Sequence, residues 1–581
     1  MNANTNMGTT VYWHKNQVIV RLKTQLTHHS LGTPPIEPIQ YIIGKLRDAF
    51  KEVLKDLPKP VDMQFIEHQE LCPSTSSTAD SLDSAIFYRI NPQTQTDMGA
   101  MQGDDGTAGM GDDDRTLDVI AQLENHKALL TALRNEGLSV ESADAIPHWF
   151  NAGTNGTNFP TQGCPISPPI PVEESGASGR WKLQFSQLPD TLKNATGKDV
   201  SVLVLDTLPA PDQISRAADQ AGSSNMLLQE MTKGMSWEEP LKAVPPAINF
   251  KSQFLPDVVE ETSAERVVTG KDIYGRHVGF PMEDHGLFVA GIVRDLAPEA
   301  TIECVRVLND FGVGDIRTLN AALIDIRKRM SPPDPHSNEP GDLYKKPVVI
   351  NLSLVVLPPE DDIPEGVTDA TLKATQSSLY SLLQCLADQG AIFVAAAGND
   401  SDPRMNASEK RFGPRYPAAL GSDHHAMTAM ISVGAVNRNR QAAKYSNYPG
   451  PYGIATYGGD LPKPDPWLPL AMDHVVARVD TNEIDALCGV YTAAQYPALS
   501  RNDPESEYPA PNSSAWAYWS GTSFATPIIS ALAARILQGR DPKNIDVRQA
   551  ILDSARDEVT WTTVGQDGKD IPGPMIIAEQ K

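Results

Sequence analysis

Along residues 17–143 the apolar positions change period several times. Val18, Val20 and Leu22 alternate with Ile19 and Arg21, which predicts a short strand. Ile39, Ile42, Ile43, Leu46, Phe50, Val53, Leu54 and Leu57 then recur at three- and four-residue spacing, the stripe of an amphipathic helix. Strand-like runs follow around Met63–Ile66 and Ala85–Ile90. A second helix is expected from Leu117, Ile120, Leu123, Leu130 and Leu133, and a last strand from Leu138 and Val140. The order β-α-β-β-α-β is that of the ferredoxin-like, split βαβ arrangement, so residues 1–150 are expected to form a small α+β domain.

Within that pattern, Asp97 to Asp114 carries six aspartates and no basic residue. The spacing is not that of an EF-hand loop, which needs a glutamate at its last position, so a solvated, disordered acidic insertion is expected. Residues 151–180 are rich in Gly, Pro, Ser, Thr and Asn without apolar periodicity, the composition of a linker. From 181 to 581 buried-strand runs such as Val200–Leu205, Ile302–Val307, Val348–Leu354, Ala391–Ala397 and Ile431–Ala435 alternate with helical stretches. Continuous apolar strands separated by helices predict an α/β domain with a mostly parallel sheet and helices on both faces.

The 581 residues are 40% hydrophobic and 21% charged, enough apolar material for a large core, and the net charge is −24. So acidic a chain repels phosphates and anionic lipid, so neither nucleic acid nor membrane is an expected partner. The five cysteines (Cys72, Cys164, Cys304, Cys385, Cys488) are widely spaced and contain no Cys-x-x-Cys, so neither a disulfide framework nor a thiolate zinc site is predicted. No secretory signal or membrane-length apolar run is seen, and a cytoplasmic protein is the simplest expectation.

Three places carry candidate chemistry. Val202-Leu-Val-Leu-Asp206 is a strand ending in a carboxylate, either a turn residue or a charge held for a purpose. Asp284-His285-Gly286 puts an imidazole ahead of a helix of small residues; alone, such a histidine is more often structural. Gly521-Thr-Ser523-Phe-Ala-Thr-Pro527 opens a helix with a serine beside unpaired N–H groups that favour developing negative charge, with Pro527 expected in the first turn. An ordinary serine cap is the plain alternative, but a string this specific is rarely accidental.

Together these residues, in the order Asp…His…Ser, resemble the subtilisin-like serine proteases, the subtilase family; that order is subtilisin's own. Val349-Ile-Asn-Leu-Ser353-Leu354 resembles the strand lining the family's substrate cleft, and Phe393-Val-Ala-Ala-Ala-Gly398-Asn399 the segment whose asparagine completes the oxyanion hole. The resemblance implies a subtilisin-like fold for 181–581 and a serine endopeptidase with Asp206, His285 and Ser523 as catalytic triad. It further implies Asn399 as oxyanion donor, Ser353, Leu354 and Gly398 as substrate-binding residues, a polypeptide substrate and no cofactor; the asparagine-rich loop that supplies a calcium site in many relatives is missing after the histidine helix, so no metal is expected there. The N-terminal domain would be a propeptide-like chaperone and intramolecular inhibitor; a catalytically silent binding module is the alternative. The sequence departs from the family at Leu208, Leu287 and Phe288, where glycine, threonine and histidine are usual. Glu360, Asp361, Asp362, Asp400 and Asp402 are either pocket carboxylates favouring basic substrates or a solvated acidic loop.

Overall fold

The structure is a computed structural model that describes residues 13–26, 38–73, 80–92, 114–153, 169–172, 181–233, 249–251, 282–310, 312–333, 340–357, 363–403, 410–422, 427–460, 484–496, 511–564 and 569–580. The chain divides into two compact units, one of Val11–Trp149 with Ile363–Cys385, the other including Phe150–Asp362 and Leu386–Lys581.

In the smaller unit the strands are β1 (Trp13–Leu26), β2 (Val61–Pro73), β3 (Asp80–Pro92) and β4 (Val140–Gly153, to Trp149), with helices α1 (Pro38–Leu54), α2 (Thr116–Glu124) and α3 (Ala128–Asn135). Every pairing is antiparallel and the order across the sheet is β4-β1-β3-β2, the ferredoxin-like arrangement. Val18, Val20 and Leu22 of β1 and Ile86, Tyr88 and Ile90 of β3 pack against Ile42, Leu46 and Phe50 of α1 and Val119 and Leu123 of α2. The apolar stripe expected to give one second helix gives two, because Lys127 takes a left-handed φ of 56° and the helix cannot run through it. Of the acidic stretch, Asp97–Asp113 lies outside the described residues. Its last member, Asp114, is held by Trp13 Nε1 at 2.9 Å and the Asn16 and Thr116 amides at 3.1 and 3.0 Å.

This unit also takes in residues of the long helix α5 (Asp369–Gln389). Trp149 Nε1 donates to Thr375 Oγ1 at 3.0 Å, and Arg21 Nη2 donates to Ser381 Oγ at 2.6 Å. A disulfide joins Cys72 of β2 to Cys385, with Cα atoms 6.0 Å apart across a sequence separation of 313. Spacing along the chain did not predict that bond.

The larger unit is built on nine strands: β5 (Ser201–Asp206), β6 (Asn249–Lys251), β7 (Thr301–Arg306), β8 (Val348–Leu352), β9 (Ala391–Ala396), β10 (Met430–Val436), β11 (Ile454–Tyr457), β12 (Asp557–Val564) and β13 (Lys569–Met575). Their order is β12-β13-β11-β10-β9-β8-β5-β7-β6, and all pairings are parallel except β12 with β13. Every residue of β5, β8, β9 and β10 is buried, as in parallel strands covered on both faces. Two helices, α4 (His285–Leu296) and α6 (Thr522–Leu537), are apolar nearly all round and buried along almost their whole length, the signature of helices inside a core.

Two stretches of 151–180 form strand pairs. Phe150–Ala152 pairs antiparallel with Val313–Asp315, Ala152–Gly153 pairs antiparallel with Leu354–Val355, and Ile170–Pro171 pairs with Ala517–Tyr518. Among the described residues no helix is long and apolar enough to cross a membrane.

Candidate active site

The carboxyl ends of β5, β8 and β9, three neighbouring strands, deliver Asp206, Ser353 and Asn399 to one edge of the sheet. In open α/β sheets that edge is where reactive groups gather. Helices α4 and α6 bring His285 and Ser523 there from their first turns.

His285 Nδ1 and Asp206 Oδ1 are 2.7 Å apart, and both side chains are 0% exposed. The Thr207 amide also donates to Asp206 Oδ1 at 2.7 Å. Thr207 Oγ1 donates to the carbonyls of Met282 and Glu283, each at 2.9 Å, and accepts from the Gly286 amide at 3.1 Å, sewing the turn after β5 to the start of α4. A Cβ at Gly286 would lie 2.2 Å from the Thr207 carbonyl oxygen and 2.8 Å from Asp206 Cβ, so only glycine allows this approach.

The departures at 208, 287 and 288 are packing residues. Leu208 is 3% exposed and Leu287 and Phe288 are 0% exposed, all within the core of the larger unit. Phe288 packs against Phe524, tilted, and Trp519, T-shaped, at 4.7 and 5.7 Å between centroids. Phe524 and Trp519 also contact the His285 ring, at 5.1 and 5.6 Å. The imidazole therefore has an aromatic wall, and the Ser523–Phe524 turn of α6 lies against it.

Asp284, directly before the histidine, is 0% exposed. Its carboxylate accepts from the Thr492 amide (2.8 Å), Thr492 Oγ1 (2.6 Å), the Ala493 amide (2.8 Å) and Gln213 Nε2 (3.3 Å). Burial pushes its pKa and that of neighbouring Glu283 upward, and for Asp284 these hydrogen bonds pull the other way. Each such bond to a charged group returns roughly 1.5–3 kcal/mol, so the four offset part of the desolvation cost, and the pKa stays raised, at about 6. Asp284 thus pins the start of α4 to the 492–493 segment.

Ser523 is the second residue of α6 and 0% exposed. Its Oγ and the far nitrogen of the imidazole, His285 Nε2, are both buried and without a hydrogen-bond partner among the described residues. Among the described residues no side chain caps α6, so the plain serine-cap alternative is not what the structure uses. Pro527 lies inside α6 rather than in its first turn. Lacking an N–H, it leaves the Ser523 carbonyl without its partner four residues on. Ser353 Oγ supplies that bond at 3.0 Å while accepting from Asn351 Nδ2 at 3.0 Å. Ser353 therefore fixes the backbone that carries Ser523.

Thr522 does the same for Asn399. The Thr522 amide and Oγ1 donate to Asn399 Oδ1 at 3.1 and 2.8 Å. An amide N–H can only donate, so Oδ1 must face Thr522 and Nδ2 is the donor end of the Asn399 side chain. Gly398, with φ of 108°, makes the turn into Asn399. A side chain there would cost roughly 1–2 kcal/mol in backbone strain alone, and its Cβ would stand 2.7 Å from Asn447 Nδ2.

Asp400 is neither a pocket charge nor a solvated one. It is paired with Arg415 at 2.6 Å and accepts from Asn447 Nδ2 at 2.8 Å, and Asp402 is 3% exposed. Glu360, Asp361 and Asp362 lie outside the described residues. Leu354 pairs with Gly153. Thr207, Asp284, Thr522 and Trp519 are candidate-site residues that sequence reasoning did not assign. Adjacency to Asp206 and to the histidine and serine motifs was the only signal they carried.

The model of the subtilase family (Peptidase_S8) matches residues 197–570. No curated protein matches the chain. Among solved structures, the chain is similar to a cold-adapted subtilisin-like serine proteinase, with 16% identity, a TM-score of 0.32, and coverage of 66% of this chain and 89% of that one. It is also similar to a lanthipeptide protease, with 18% identity, a TM-score of 0.35, and coverage of 62% and 81%. A protease from Pseudoalteromonas arctica PAMC 21717 shows 20% identity, a TM-score of 0.35, and coverage of 67% and 93%.

Proposed function

The chain belongs to the subtilase family and is a serine-type peptidase, and we propose that it is an endopeptidase working through Asp206, His285 and Ser523, held inactive by its own N-terminal domain. The observation that carries the catalytic reading is the buried 2.7 Å bond between Asp206 and His285 Nδ1, with His285 Nε2 and Ser523 Oγ both without a hydrogen-bond partner among the described residues. The bond to Nδ1 fixes the tautomer whose Nε2 is a base.

Ser523 Oγ attacks the peptide carbonyl carbon while its proton passes to His285 Nε2. Asp206 stabilises the imidazolium. The carbonyl oxygen, now an oxyanion, takes hydrogen bonds from Asn399 Nδ2 and the Ser523 N–H. His285 returns the proton to the leaving amine as the C–N bond breaks, giving an acyl-enzyme. Water repeats the sequence from the other side and releases the acid. Replacing Asn399 with alanine is expected to lower kcat about 10²–10³-fold with little change in KM, a magnitude taken from the equivalent change in subtilisin. Steady-state kinetics on a peptide substrate measure it.

The inhibitory reading is supported by the chain that follows the N-terminal domain. Residues 152–153 add an antiparallel strand to Leu354–Val355, directly after Ser353, the way an extended peptide docks on an exposed strand. The three catalytic side chains are 0% exposed, as expected of a covered site. Ser353, Leu354 and Gly398 would line the cleft that this segment fills. If the domain is a cleavable inhibitor, N-terminal sequencing of the incubated wild-type protein will find a new terminus within 151–180. The same chain carrying Ser523→Ala will keep its original terminus. A wild-type chain that stays whole and silent under every condition would favour the binding-module reading instead.

A further inference from the structure

The reading of a cut within 151–180 meets an obstacle in the covalent structure. Cys72 lies before that stretch and Cys385 after it, and the two are bonded within the smaller unit. A cut within 151–180 therefore breaks the polypeptide without separating the pieces. We infer that the Cys72–Cys385 disulfide is a redox-controlled tether: it keeps the severed N-terminal domain attached to the peptidase, and its reduction releases the inhibitor. The inference rests on the inhibitory reading above.

Several observations support this role. The Cα separation of 6.0 Å is within the ordinary range for a disulfide. Cys72 and Cys385 are both half-buried residues rather than core ones. The thiols Cys304 and Cys488 are buried in the core, and burial pushes both pKa values up, so neither is a competent thiolate for exchange with this bond. The bond also joins two secondary-structure elements, β2 and α5, rather than loop tips, so it holds the Ile363–Cys385 segment to the domain that Cys72 belongs to.

The chemistry balances with a dithiol reductant. Its thiolate attacks one sulfur of the cystine to give a mixed disulfide, and its second thiol closes a cyclic disulfide. Two electrons and two protons pass to the protein, leaving Cys72 and Cys385 as free thiols. The functional gain follows from mass action. A tethered inhibitor sits at an effective concentration of about millimolar, whereas a released one has only the concentration of the protein. At nanomolar protein, release therefore relieves inhibition that cutting alone does not.

The test uses the full chain with a recognition sequence for a site-specific protease placed within 154–168, so that the cut does not depend on self-processing. After cutting, non-reducing electrophoresis should show one species near 63.0 kDa, and adding a dithiol should resolve two. Peptidase activity of the cut protein at nanomolar concentration should then rise at least about tenfold on reduction, from the loss of effective concentration. Cys385→Ser and Cys72→Ser chains, each cut in the same way, should separate and be active without reductant, and reductant should not change them. The inference is overturned if the cut wild-type fragments separate without reductant, if Cys72 and Cys385 are both alkylated in the unreduced protein, or if activity ignores the dithiol. A chain that never cuts itself but shows the tether after the engineered cut would refute self-processing and leave the tether standing.

Discussion

Alanine at Ser523 will lower kcat on a peptide substrate by about 10⁶-fold, and alanine at His285 will do the same, the losses these roles carry in subtilisin. The effects do not add, because a nucleophile without its base and a base without its nucleophile are equally idle. The oxyanion donors and substrate binding should leave a residual acceleration over water. Ser523 is well suited to this experiment: its Oγ has no hydrogen-bond partner among the described residues, so removing it breaks no hydrogen bond among them. The Ser523→Ala protein should therefore melt where the wild type does, and its loss of rate reports chemistry. Because the variant cannot process itself, both proteins are freed by the same engineered cut and reduction before kcat is measured. A loss of less than about 10³-fold would mean that another group attacks, since the nucleophile carries most of the acceleration.

Asparagine at Asp206 is the second large effect, expected at about 10⁴-fold in kcat with KM little changed, by analogy with the same change in another serine protease. The reason is the tautomer. The carboxylate accepts from His285 Nδ1 and from the Thr207 amide through the same oxygen. If the new amide turns its NH₂ toward the imidazole, Nδ1 must accept, the ring proton moves to Nε2, and Nε2 can no longer take the proton of Ser523. If it turns its oxygen instead, the tautomer survives but the negative charge opposite the imidazolium is gone. The site is fully buried, so the variant's melting temperature must be measured beside its kinetics. A rate loss matched by loss of fold would not support the role.

Much of the candidate site was legible because the proposed chemistry needs particular side chains within short strings. Gly521–Pro527, His285-Gly286 and a strand-ending Asp206 are local patterns, and the structure joins Asp206 to His285 by a hydrogen bond. The buried parallel strands were legible because burial on both faces leaves no polar alternation in β5, β8, β9 or β10. What was not legible depends on partners distant in sequence. Nothing near Cys72 indicates that Cys385 will meet it. Asp284 looks like any acid before a histidine until Thr492, Ala493 and Gln213 converge on it. The aromatic residue Phe288, in place of the usual polar one, could be read only as a departure, because Trp519 and Phe524 fill the space around it. The break at Lys127 is a single backbone angle that an apolar stripe does not encode.

The central claim is that Ser523 is a nucleophile made reactive by His285 and Asp206. A fluorophosphonate probe tests it most directly, because it reacts far faster with a hydroxyl activated in this way than with other groups. With the protein cut, reduced and freed of its N-terminal domain, mass spectrometry should place the phosphonyl adduct on Ser523. His285→Ala and Ser523→Ala should abolish labelling. Freed wild-type protein that stays unlabelled, or an adduct on any other residue, would contradict the account.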